Sequence, residues 1–351
     1  MNAPMLAARL AAPVVPSAAV VRIKDVRLVY RAADGSDVSV LDGVNLEAAR
    51  GEILAVIGRS GAGKSALLRL VEGRETPDSG AIELAGESPT IGVVARHGGL
   101  DAKRTLGENL AVRLQAAGHD AATIAREVDH ALDLADLASA RGRHPAQLSD
   151  GERRRAVFAR ALCGAPDVLL LDEPTAGLDP ESARTLLSAV ARASKERGAT
   201  VLLASHDMTA VAAIAHRVAM LDGGRIVEEG PTTQVVARPK RSVTRRFAAA
   251  VSGAALPAFL SEKLSQDPTP RGKALLRLAF EGPAATRPVL TEVARELGFD
   301  LGIVAGSLGQ LGGQPFGVLI VAAPSDEPYF TAACERLEDA GLGVEKLGFV
   351  A

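Results

Sequence analysis

The eight residues Gly58-Arg-Ser-Gly-Ala-Gly-Lys-Ser65 fit the pattern G-x-x-x-x-G-K-[ST], and their setting restricts the possible folds more than any other feature of the chain. The apolar run Ile53-Leu-Ala-Val-Ile-Gly58 precedes them, and the helical run Ser65-Ala-Leu-Leu-Arg-Leu follows. A strand, a Gly-rich turn and a helix N-terminus in that order form a phosphate cradle. Main-chain N–H groups wrap the phosphate and the helix end adds partial positive charge. Gly58, Arg59, Ser60, Gly61, Ala62, Gly63, Lys64 and Ser65 are therefore candidate nucleotide-binding residues. Lys64 is expected to reach the β- and γ-phosphates of ATP, and the Ser65 hydroxyl to hold Mg2+.

Other segments supply the remainder of such a site. Leu169-Leu-Leu-Asp172 reads as an apolar strand that leaves Asp172 at the sheet edge beside the metal, with Glu173 next to it to polarise an attacking water. Leu148-Ser-Asp-Gly-Glu152 opens a helix, and the spacing of Ser149 and Glu152 matches a capping box, which leaves that helix N-terminus free to face an anion. His206 ends the apolar strand Thr200–Ser205, where an imidazole can touch a γ-phosphate. Ala176-Gly-Leu-Asp179 follows Glu173 as a loop poised to cross a dimer interface. Buried apolar strands alternating with helices, among them helical patterns over Thr123–Ala138 and Gly151–Leu162, predict a layered α/β domain with a largely parallel sheet.

The phosphate loop, LSDGE, LLLDEP, GLDP and His206, in that order over residues 21–250, resemble the ABC ATPase family. The resemblance implies a head-to-tail homodimer with two ATP molecules sandwiched between the phosphate loop of one copy and the Ser149 helix, including Gly151, of the other. It implies a separate membrane permease subunit as partner. Tyr30 matches the family's aromatic residue that stacks on adenine; its simpler role is a strand residue packing on the core.

The sequence divides into an N-terminal extension over 1–20, a cassette over 21–252, a Pro-containing linker over 253–271 with Pro257, Pro268 and Pro270, and a domain over 272–351. Residues 1–20 are read as disordered, because Arg9, Pro13 and Pro16 interrupt any targeting helix. The last domain alternates strand, helix, strand, strand, helix, strand, the ferredoxin-like βαββαβ order of a small α+β fold. It resembles the C-terminal domain of methionine-importer ATPases, which implies methionine as a regulatory ligand. A dimerisation module without ligand is the simpler reading, since fold alone does not give function.

Two positions depart from the family pattern. The signature carries Asp150 and Glu152 where the family has Gly and Gln, and Arg153, Arg154 and Arg155 are expected to offset that charge. At the end of the strand Ile91–Arg96, Arg96 stands where the family has a Gln that touches metal or attacking water. A guanidinium has no lone pair for Mg2+, so Arg96 is expected to pair with phosphate, or the adjacent His97 to take part of the role.

Bulk properties remove other classes. A net charge of −2 argues against a nucleic-acid binder that relies on a global positive field. Cys163 and Cys334 have no metal-ligand or disulfide spacing and fit a reducing compartment. No apolar stretch approaches the ~18–20 residues of a membrane span, so contact with a membrane goes through a partner. The leading reading is the ATPase subunit of a methionine importer, peripheral on the cytoplasmic face of the inner membrane, with a periplasmic or lipoprotein substrate-binding protein. The same cassette serving another amino acid or a small hydrophobic compound is a second reading. A methionine-sensing regulator with weak ATPase activity is a third. A soluble ABC ATPase of translation or DNA repair is disfavoured, because neither a second cassette nor a long coiled-coil insertion is present.

Overall fold

The computed structural model of the protein describes residues 19–32, 34–96, 99–252, 256–268, 272–311 and 314–350. Residues 1–18 of the extension read over 1–20, His97 and parts of the linker lie outside them; Ala19 and Val20, read as disordered, instead open the first strand, where Val20 is buried. The described chain runs β1 (Ala19–Arg31), β2 (Asp37–Ala49), β3 (Ile53–Ile57), α1 (Lys64–Val71), β4 (Ser79–Leu84), β5 (Ile91–Val94), α2 (Leu106–Ala116), α3 (Ala121–Leu134) and α4 (Asp150–Leu162). It continues through β6 (Val168–Asp172), α5 (Pro180–Arg197), β7 (Thr200–Ser205), α6 (Met208–Ala212), β8 (Arg217–Asp222) and β9 (Arg225–Pro231). Helices α7 (Thr232–Ala237), α8 (Ser242–Ser252) and α9 (Ala258–Ser261) precede β10 (Lys273–Glu281), α10 (Val289–Leu297), β11 (Gly302–Leu311), β12 (Gln314–Pro324), α11 (Tyr329–Asp339) and β13 (Gly343–Val350).

Two compact units result, Met1–Glu229 and Gly230–Ala351. The first contains a six-stranded sheet in the order β5-β6-β7-β3-β8-β9 and a three-stranded antiparallel sheet β2-β1-β4. Strands β5, β6, β7, β3 and β8 pair in parallel, and the three central ones are buried along almost their whole length, as a sheet covered on both faces requires. Leu67 and Leu70 of α1 pack into one core with Val26, Leu41 and Val44 of the small sheet and Leu54, Leu170 and Leu202 of the large one. Helix α1 is thus gripped between two sheets. That places its N-terminus, and the phosphate loop before it, at the C-terminal edge of β3, where open α/β sheets bind ligands.

The second unit contains the antiparallel sheet β11-β12-β10-β13, the strand order expected of a βαββαβ unit. Leu276, Leu278, Val289, Val293, Val321 and Leu337 form its core. The compact units divide at Glu229–Gly230, ahead of the boundary at residue 252 read from sequence, because α7 and α8 pack on each other and α8 on β11. The linker also holds more structure than its prolines suggest: α9 lies within it, and Ser265 pairs with Phe349. The helix expected over Thr123–Ala138 ends at Leu134, where Asp136 takes a left-handed conformation (φ 59°) that stops the helical ladder.

Helices α4 and α5 begin side by side. A Cβ on Gly151, in the first turn of α4, would lie 2.4 Å from Ser182 Oγ and 2.9 Å from Ser182 Cβ of α5. Gly151→Ala is therefore expected to cost about 1–3 kcal/mol by overpacking, read as a lower urea midpoint. Ser182→Gly in the same chain should return most of the loss.

Candidate functional site

Five side chains converge at the C-terminal ends of β3, β6 and β7. Gly63 caps α1 with φ 106°, and among the described residues no side chain caps this helix end, so its first N–H groups are available to an external acceptor. Only glycine fits there: a Cβ would meet Val40 O at 2.7 Å and Leu41 Cδ2 at 2.8 Å. Lys64, 6% exposed, donates to Gly58 O (2.7 Å) and Arg59 O (3.1 Å) and lies 3.4 Å from Glu173 Oε1. Ser65 Oγ donates to Asp172 Oδ1 at 3.0 Å.

Glu173, 4% exposed, ties this cradle to β7. Its Oε2 accepts from the His206 main-chain N–H (3.3 Å) and lies 2.8 Å from His206 Nδ1. A carboxylate acceptor there places the ring proton on Nδ1. The Glu173 N–H donates to Ala204 O at 2.9 Å, and the residue sits at φ 47°, a left-handed conformation uncommon outside glycine. Lys64, Ser65, Asp172, Glu173 and His206, named from separate stretches of sequence, form one connected cluster. His206 contacts Glu173, a pairing that the strand-end position alone did not predict.

The Ser149 capping box is present: Ser149 Oγ accepts from Glu152 N–H (3.2 Å), and Glu152 Oε2 accepts from Ser149 N–H (2.8 Å). That main-chain bond, with the Arg143 guanidinium beside it, holds the Glu152 carboxyl below its usual range. Of the three arginines expected to offset that charge, only Arg153 does so. Arg143, from an earlier segment, pairs with Glu152 (3.0 Å); Arg153 lies 3.7 Å from the exposed Asp150; Arg155 donates to Ala135 O. Arg154 points the other way. It donates to Glu173 O (2.8 Å), Pro174 O (2.9 Å), Arg96 O (3.2 Å) and Ala95 O (3.4 Å). Sequence reading named Arg154 but missed this role, because its targets are main-chain carbonyls, which leave no mark in the sequence.

Asp179 caps α5, accepting from the Glu181 and Ser182 amides at 3.0 Å, and the Ser182 hydrogen bonds hold its carboxyl below the usual carboxylate range. Tyr30 is partly exposed on β1. Its hydroxyl donates to Glu75 Oε2 (2.7 Å) and accepts from Arg69 Nη2 (2.9 Å). Burial and the Glu75 contact raise its pKa while Arg69 opposes them. Arg96 is exposed and lines, with Ser65, Asp172, Arg69 and Arg160, a cleft of about 410 Å3. Cys163 is fully buried, and burial pushes its thiol up to about 12, which makes it an inert core residue. Among the described residues, no three acidic, His or Cys side chains form a metal cage, and no helix is long and apolar enough to cross a membrane.

In the second unit a cavity of about 580 Å3 is lined by Arg238, Arg277, Glu338 and Glu345 with apolar neighbours. Arg277 is 9% exposed, and its Nη1 lies 3.6 Å from Glu345 Oε2.

Comparison with known proteins agrees with this anatomy. Residues 41–176 match the ABC transporter family and residues 274–346 the NIL domain. A methionine import ATP-binding protein of Rhodopseudomonas palustris is 41% identical, over 94% of this chain and 92% of the relative. One from Bradyrhizobium diazoefficiens is 35% identical, over 94% of this chain and all of the relative. Among solved structures, the dimeric post-hydrolysis form of the ATP-binding cassette MJ0796, bound to ADP and Pi, covers 60% of this chain and 98% of its own, with a TM-score of 0.54 and 25% identity. The cbiO1 cassette of Clostridium perfringens covers 63% of this chain and 91% of its own, with a TM-score of 0.57 and 27% identity. A phosphate loop and carboxylate pair on an ABC cassette, a NIL domain behind it and relatives matched almost end to end lead to one conclusion: the chain is an ATP-hydrolysing ABC subunit and belongs to the family of methionine import ATP-binding proteins.

Proposed function

We propose that this ATPase energises uptake of methionine, in its L or D form, through a separate membrane permease supplied by a periplasmic or lipoprotein substrate-binding protein. It would work as a homodimer, peripheral on the cytoplasmic face of the inner membrane. The observation that carries the chemistry is the buried Glu173 carboxylate, which meets both Lys64 and His206. The name shared by the relatives supports methionine as cargo.

In this reading the open amides of α1 and the Lys64 ammonium bind the β- and γ-phosphates of ATP, and Tyr30 offers its ring to adenine. The Ser65 hydroxyl and the Asp172 carboxylate, hard oxygen donors 3.0 Å apart, would hold Mg2+. When bound, the metal neutralises charge that develops on the phosphates. Glu173 Oε2 accepts a proton from the attacking water, and His206, donating from Nδ1, holds that oxygen in place. The loop Gly58–Ser65 of one protomer and Ser149 with Gly151 of its partner close on the same nucleotide, with Asp179 at the junction. The NIL domain would sense methionine: the cavity bounded by Arg238, Arg277, Glu338 and Glu345 presents both signs of charge to a zwitterion.

Three outcomes test this reading. Glu173→Gln should abolish turnover and transport while leaving ATP binding intact, so that the variant accumulates as an ATP-bound dimer on size exclusion with Mg2+. A monomer that hydrolyses ATP at the wild-type rate would refute the assignment. Arg96→Gln should raise kcat about tenfold with equal or slightly weaker ATP affinity, since a side chain with a lone pair would replace a fixed cation at the Ser65–Asp172 cleft. An unchanged rate counts against that role. Titration calorimetry of the full chain with millimolar L-methionine should give saturable heat that Arg277→Met reduces; heats equal to buffer remove the sensing role.

A further inference from the structure

We infer that Arg154 is a positioning residue for hydrolysis, holding the Glu173 turn and the Arg96 segment in fixed register from the helix that starts at Ser149. The inference rests on the reading of Glu173 as the group that polarises water.

The geometry is specific. Arg154 lies in α4, and its half-buried guanidinium reaches four main-chain carbonyls in two segments that are not adjacent in sequence. Nη2 and Nε meet Glu173 O and Pro174 O at 2.8 and 2.9 Å, and Nη1 meets Arg96 O and Ala95 O at 3.2 and 3.4 Å. A guanidinium is a planar fork with five donors and no acceptor, so a single side chain can hold two pairs of carbonyls on different sides. An ammonium has one donor centre and cannot span both.

What the fork holds matters for chemistry. Glu173 O also accepts from Ala176 N–H at 3.2 Å, so two donors fix the peptide plane that follows the Glu173 Cα. With φ at 47° the backbone has nearby relaxed alternatives, and the carboxylate would swing with any of them. Sub-ångström placement of a reacting carboxylate is worth large factors in rate. The second pair, on Ala95 and Arg96, sets the edge of the cleft shared with Ser65 and Asp172. Farther along α4, Arg160 Nη1 donates to Gly99 O at 2.5 Å, so the same helix also grips the chain beyond. The carbonyls of Ala95, Arg96, Gly99 and Glu173 are thereby all held from the one helix that begins beside Ser149.

The test compares Arg154→Met, which keeps the stem and removes every donor, and Arg154→Lys, which keeps the charge, with the native chain and Glu173→Gln. Steady-state ATPase rates are measured well below each variant's Tm, together with equilibrium MgATP affinity. The expected result is a loss of kcat of about ten- to a hundredfold in both Arg154 variants, with KM and ATP affinity within about twofold and Tm little changed. Lys should not rescue Met. Unchanged kcat in Arg154→Met beside a collapse in Glu173→Gln overturns the inference alone. A loss that appears equally in affinity and Tm overturns it in favour of a purely structural role. Wild-type turnover in Glu173→Gln overturns the reading of Glu173 and the inference with it.

Discussion

Two opposite charges held out of water organise the first unit. Lys64 and Glu173 are both nearly buried, and a buried ion is tolerated only when paired and hydrogen-bonded. Removing either partner strands the other. The ammonium is satisfied by Gly58 O, Arg59 O and Glu173, and the carboxylate by Lys64 and His206, so three strand ends must meet at one place. The parallel order β6-β7-β3 brings these ends together, and the two-sided packing of α1 keeps them there.

That dependence explains which features could be read in advance. The phosphate loop, Asp172–Glu173 and the Ser149 capping box are local: each is a short pattern whose chemistry follows from adjacent residues. The βαββαβ order was legible for the same reason, since apolar periodicity marks each strand and helix separately. The contacts that sequence could not give are long-range. Arg143 neutralises Glu152 and Arg154 ignores the acidic signature, although Arg153, Arg154 and Arg155 sit together in the sequence. Helix geometry decides between them: successive residues on α4 point about 100° apart, so three neighbouring arginines serve three different surroundings.

The division of the chain shows the same limit. Prolines at 257, 268 and 270 suggested where one domain stops, yet α7 and α8 pack with the unit that follows. Composition marks where a chain bends; it does not report which side a helix packs against. Gly151 is a further example. Read from sequence as part of a nucleotide-facing signature, it is required within the chain by the approach of Ser182, a packing demand that the motif does not state.

The left-handed backbone at Glu173 carries an energetic consequence. A side chain at such a position costs about 1–2 kcal/mol relative to the relaxed backbone, and Gly or Asn would remove most of that cost. Either replacement would also remove the carboxylate that pairs with the buried Lys64 ammonium, and a stranded buried charge costs more than the relaxed turn returns. The strained turn and the ion pair therefore stand or fall together: the contacts of Glu173 with Lys64 and His206 hold the backbone in a conformation it would otherwise leave.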